Sequence, residues 1–143
     1  MIDTVVIATD GSKSVKRAVD VALDLADRFD ADVHALYVLE ESEVNSAPER
    51  VRGELRAALS EEGTAALEAV EDAANARVRT AVRSGRPAIE IAHYARSVDA
   101  DLVATGTRGR HGTNRFLIGS VAERVVRTCP VPVLTVRQLQ ETV

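Results

Sequence analysis

The most constraining feature of this chain is the regular succession of two kinds of apolar pattern. Short runs rich in β-branched residues alternate with longer stretches whose apolar residues recur every three or four positions. Thr4-Val5-Val6-Ile7-Ala8-Thr9 is continuous and β-branched, as expected for a strand buried on both faces. Asp10-Gly11-Ser12 follows with turn chemistry, and Ser12 or Ser14 is suited to cap a helix. Val15, Ala18, Val19, Ala22, Leu23 and Ala26 then form one helical stripe. Asp30-Ala31-Asp32 breaks it before a second strand over Val33–Leu39.

The polar stretch from Glu40 to Pro48 is expected to be a mobile loop. A long helix is expected from about Pro48 to Asn75, its first half weakened by Gly53 and Gly63. A third strand is expected over Val78–Val82. Pro87 suits the first turn of a helix buried through Ile91, Ala92, Ala95 and Val98. A fourth strand over Asp101–Thr105 leads into a glycine-rich, basic stretch, Gly106 to Ile118. Gly119–Thr128 reads as a helix with Val121, Ala122, Val125 and Val126 inward, and Pro130–Val136 as a last strand. The two prolines at its start favour a sheet edge.

This β-α alternation predicts an α/β fold, a mostly parallel sheet with helices on both faces. At 143 residues the chain has the length of one domain. A net charge of −4 argues against a general nucleic-acid binder. A single cysteine, Cys129, excludes an intramolecular disulfide framework and is expected to be a buried structural thiol. No apolar run approaches a membrane span, and no signal peptide is visible, so a soluble cytoplasmic protein is expected.

Ligands of such sheets bind beyond the carboxyl ends of the strands. Two loops stand there, Asp10-Gly11-Ser12 after the first strand and the stretch from Gly106 to Gly112 after the fourth. They face one crevice if those two strands are neighbours. No acid lies between Asp101 and Glu123, whereas Arg108, Arg110 and Arg115 do. Glycines free backbone N–H groups to turn toward a ligand, and the helix beginning near Gly119-Ser120 adds its own unpaired amides. These features suit an anion, a polyphosphate in particular. There is no G-x-x-x-x-G-K-[ST] and no G-x-G, so neither the P-loop nor the dinucleotide fingerprint is present. Asp10 is the one carboxylate the sequence assigns to the pocket, which leaves no acid–base pair for fast phosphoryl transfer. His111, a loop histidine among arginines, is better read as solvated than as a base.

Gly106, two residues, Gly109, nine residues, Gly119 and Ser120 satisfy the pattern G-x2-G-x9-G-[ST]. With VVIATDGS at the start, Gly85-Arg86-Pro87-Ala88 followed by Ile91-Ala92, and GSVAERVVRTCPVPVLTV near the end, the chain resembles the universal stress protein family, its ATP-binding members in particular. Ala8-Thr9 stands where many members carry a proline. The resemblance implies a single three-layer α/β/α domain over 1–143, with a five-stranded parallel sheet in order 3-2-1-4-5. It implies that Asp10 contacts the nucleoside and Val38 packs beside adenine. Ala8, Thr9 and Ser12 would flank them, and Gly106, Thr107, Arg108, Gly109 and His111 would line the ribose–phosphate path. Gly119, Ser120 and Val121 would meet the phosphates. The ligand so implied is ATP, with AMP and ADP as alternatives and magnesium as an optional companion that Ser120 would share with the phosphates. A homodimer through strand 131–136 and an unidentified protein partner are also implied. The implied role is a stress-response regulator acting through nucleotide occupancy. A nucleotide-independent interaction module and a slow ATPase are the alternatives.

Overall fold

Five parallel strands form one sheet in order β3-β2-β1-β4-β5. They are β1 (Thr4–Ala8), β2 (Asp32–Glu40), β3 (Val78–Gly85), β4 (Leu102–Gly106) and β5 (Val133–Val136). The computed structural model describes residues 1–107 and 119–139. The helices are α1 (Lys16–Phe29), α2 (Glu41–Ser46), α3 (Arg52–Ala73), α4 (Pro87–Ser97) and α5 (Ser120–Thr128). The α/β class and the 3-2-1-4-5 order are therefore as expected.

Because side chains alternate along a strand, the sheet feeds two separate cores. Val5, Ile7, Val33, Ala35, Tyr37 and Ala104 point to the layer of α1 and α3. Val6, Ala8, Leu36 and Val103 point to the layer of α4 and α5, against Ile91, Tyr94, Ala95 and Val125. With so few aromatics, the helices approach closely through alanines: Ala18, Ala22 and Ala95 have no exposed surface. Gly63 of α3 lies directly on the Tyr37 ring. A Cβ there would stand within 2.5 Å of ring carbon Cδ2.

The second core holds a polar pair. His34 Nδ1 lies 2.8 Å from the Tyr94 hydroxyl, both side chains buried. Burial, assisted by the Arg79 guanidinium and opposed by Asp32, holds the His34 imidazole below its usual pKa. At the sheet's amino end, the Asp101 carboxylate accepts from the backbone N–H groups of Asp3 and Thr4, at 2.8 and 3.1 Å. These bonds tie β1 to the start of β4 and lower the carboxyl's pKa.

Several local expectations are corrected. The segment 40–48 is not a loop throughout: β2 runs to Glu40 and α2 occupies Glu41–Ser46. Val44 is buried and anchors it, and Arg56 grips the Glu41 carboxylate with two bonds of 2.9 and 3.1 Å. Arg52 donates to the carbonyls of Ala47 and Asn45. Polarity alone concealed these long-range tethers. α3 is continuous across Gly53 and Gly63. β3 extends to Gly85, whereas β5 begins only at Val133, its preceding Pro132 carbonyl accepting from Val103 N–H at 2.9 Å. Val126 is half exposed rather than inward, and Cys129 is only partly buried. Ser12 stands before a single 3-10 turn, Lys13–Val15, and makes no side-chain cap.

Candidate functional site

The register places β1 between β2 and β4, with Ile7 beside Ala35 and Ala104. The chain leaving β1 and the chain leaving β4 therefore emerge side by side, as the crevice argument required. Thr9 continues the ladder by donating to the Leu36 carbonyl at 2.9 Å. Beyond it, two short bonds shape the turn. Thr9 Oγ1 accepts from Gly11 N–H at 3.1 Å, and Asp10 Oδ1 accepts from Ser12 N–H at 2.9 Å. Gly11 has φ of +78°, a conformation glycine adopts without steric cost. Its backbone also abuts α3, where a Cβ would lie 3.1 Å from Ala66 Cβ.

On the neighbouring strand, Gly106 ends β4 and is buried. The Thr107 carbonyl accepts from Gly119 N–H at 2.5 Å, which seats the start of α5 at the end of β4. Gly119 thus spends its own amide on Thr107, while its carbonyl accepts from Glu123 N–H at 3.0 Å. Helix geometry leaves the amides of Ser120, Val121 and Ala122 without partners in the helix, at the positive end of its dipole.

Six of the expected site residues fall into two groups around the β1 turn. Ala8, Val38 and Val121 share the layer of α4 and α5. Val38 lies two residues past Leu36, the partner of Ala8, so it stands beyond the end of β1. Thr9, Asp10 and Ser12 instead line a cleft of about 590 Å³ between α1 and α3, floored by Val19, Ala66 and Val70. The buried Ser12 hydroxyl has no hydrogen-bond partner among the described residues. Sequence reasoning missed this cleft, although the alanines at 65, 66, 69 and 73 were its available signal. Arg108, Gly109 and His111 lie outside the described residues. Among the described residues, no group of three or more His, Cys, Asp or Glu side chains is placed to hold a metal, and no helix is long and apolar enough to cross a membrane.

Comparison with known proteins agrees with this architecture. Universal stress protein MJ0531 of Methanocaldococcus jannaschii is 40% identical over 138 residues, covering 94% of this chain and 81% of its own. Universal stress protein YxiE of Bacillus subtilis is 33% identical over 148 residues, covering 96% of this chain and all of its own. Among solved structures, universal stress protein UspA from Lactobacillus plantarum superposes with a TM-score of 0.81 at 25% identity, covering 95% of this chain and 98% of that one. A universal stress protein solved in complex with cAMP superposes with a TM-score of 0.71 at 26% identity, covering 96% and 98%. The profile of the universal stress protein family matches residues 1–137. With its sheet order and these relatives in agreement, the chain belongs to the universal stress protein family.

Proposed function

We propose that this protein binds an adenine nucleotide, ATP foremost, in the crevice between the β1 turn and the start of α5, and that it acts in the cytoplasm as a stress-response regulator through nucleotide occupancy. One observation carries the reading. The adjacency of β1 and β4 brings the β1 turn and the Gly106-Thr107 end of β4 out at the same carboxyl end of the sheet, and the bond from Gly119 to Thr107 seats there the first turn of α5, whose Ser120, Val121 and Ala122 amides have no acceptor within the helix. The donor set suits a phosphate, and Gly106 ends β4 without a side chain. Ala8, Val38 and Val121 supply an apolar wall for a base. The cAMP complex of a structural relative lends further support. Arg108, Gly109 and His111 complete the phosphate path in this reading. If magnesium accompanies the phosphates, the Ser120 hydroxyl is the protein's contribution to it. The chain is also proposed to form a homodimer through the edge strand β5.

The test is to denature the purified protein, identify released small molecules by mass spectrometry, and measure unfolding with added nucleotide. ATP at about 100 times its Kd should add about 2.7 kcal/mol. Absence of both released nucleotide and stabilisation would overturn the reading.

A further inference from the structure

The sheet has a second free edge. β3 pairs only with β2, so its outer ladder of N–H and C=O groups meets no strand among the described residues. Arg79, Thr80, Val82, Arg83 and Ser84 are all exposed. Between Asp72 and Glu90 the chain carries four arginines, Arg77, Arg79, Arg83 and Arg86, and no acid. None of the four makes an ion pair among the described residues. Register sets Arg79 beside His34 and Arg83 beside Val38, so both guanidinium groups stand on the α4 face, four residues apart. Arg83 lies over the Tyr94 ring, 5.1 Å from its centre, and donates one bond to the Val82 carbonyl at 3.1 Å. On the opposite face, Val82 is 47% exposed between Thr80 and Ser84.

Physical chemistry narrows what can pair here. A second copy adding antiparallel about a two-fold axis through Ala81 would set each Arg79 directly opposite an Arg83, and like charges directly opposite destabilise a strand pair. β5 has no charge from Val133 to Val136 and carries no such guard. Nucleic acid is disfavoured by the overall charge of −4 and by the burial of both tyrosines, which removes the stacking platforms near this edge. We propose that the β3 edge docks an extended acidic segment of another protein by strand addition. Acidic side chains at alternate positions would lie over Arg79 and Arg83, and a small or apolar residue would lie against Val82. The surface is at the opposite edge from β5 and does not depend on the nucleotide reading.

The probe is a fluorescent peptide, acetyl-Glu-Thr-Glu-Val-Glu-Thr-Glu-amide, followed by anisotropy on the full chain. Binding is expected, weakening as salt rises, since exposed charge pairs are screened. The variant R79E/R83E, checked for folding by thermal melting, should bind at least about tenfold more weakly. It should gain affinity for the matching Lys-Thr-Lys-Val peptide, a reversal that mere loss of structure would not produce. Arg79→Gln with Arg83→Gln serves as the milder variant and should lose affinity without the reversal. Backbone N-methylation of alternate peptide residues, tried in both phases, should abolish binding in one phase. The proposal is overturned if the peptide does not bind wild type, or if N-methylation in both phases is without effect. It is equally overturned if R79E/R83E changes the oligomeric state in light scattering, or if a single-stranded RNA binds more tightly than the peptide and is lost in the same variant.

Discussion

Gly63 and Gly53 show how differently one residue type is used within one helix. Both weaken a helix in isolation, and the sequence offers no means to tell them apart. Gly63 is required because the Tyr37 ring occupies the place of a side chain, whereas nothing lies within 4 Å of a Cβ at Gly53. Gly63→Ala should therefore destabilise by about 1–3 kcal/mol in urea titration. Gly53→Ala should stabilise by about 0.5–1 kcal/mol. At the same scale, His34 links stability to pH. Its pKa lies below the ordinary 6.5 in the folded state, so the unfolded chain binds more protons in the interval between the two values. His34 contributes fully above pH 6.5, and that contribution is lost as pH falls through the depressed folded value. His34→Gln should flatten the wild-type decline in stability below pH 6.5; the comparison is of slopes, measured by urea midpoints at constant ionic strength.

Elements behaved differently according to what holds them. The strands and amphipathic helices were legible because apolar periodicity reports burial directly. α2 was not, because its order comes from Val44 and from contacts made by Arg52 and Arg56, which lie on the next helix. The ends of α1 and α4 follow one device: Asp30 and Asp99 turn left-handed at φ of 53° and 56°, and Ala31 and Ala100 donate back to Ala26 and Ala95, each at 2.9 Å. β5 is a four-residue edge strand with Leu134 at its centre. If β5 joins two copies, Leu134→Lys should convert dimers to monomers in light scattering, while R79E/R83E at the other edge leaves the dimer intact. An unchanged mass for Leu134→Lys would place the dimer on another surface.

For the molecule as a whole, the β1 turn joins the carboxyl end of the sheet to the α1–α3 cleft. Asp10→Ala removes the bond to Ser12 N–H and should cost about 1 kcal/mol of intrinsic stability. On the proposed function it should also remove the stabilisation given by ATP, so melting with and without nucleotide separates the two effects. The chain by itself determined the fold class, the succession of the five strands with α1, α3, α4 and α5 between them, and the loops at the sheet's carboxyl end. Each of these follows from local pattern, because burial on a strand or helix imprints a period on neighbouring residues. Tertiary structure alone decided that Gly119 gives its amide to Thr107, that Ala8, Val38 and Val121 share one layer while Thr9, Asp10 and Ser12 line another cleft, and that β3 leaves its arginines on an open edge. Those outcomes depend on which distant segments become neighbours, and no periodicity within a single segment encodes its neighbour's identity.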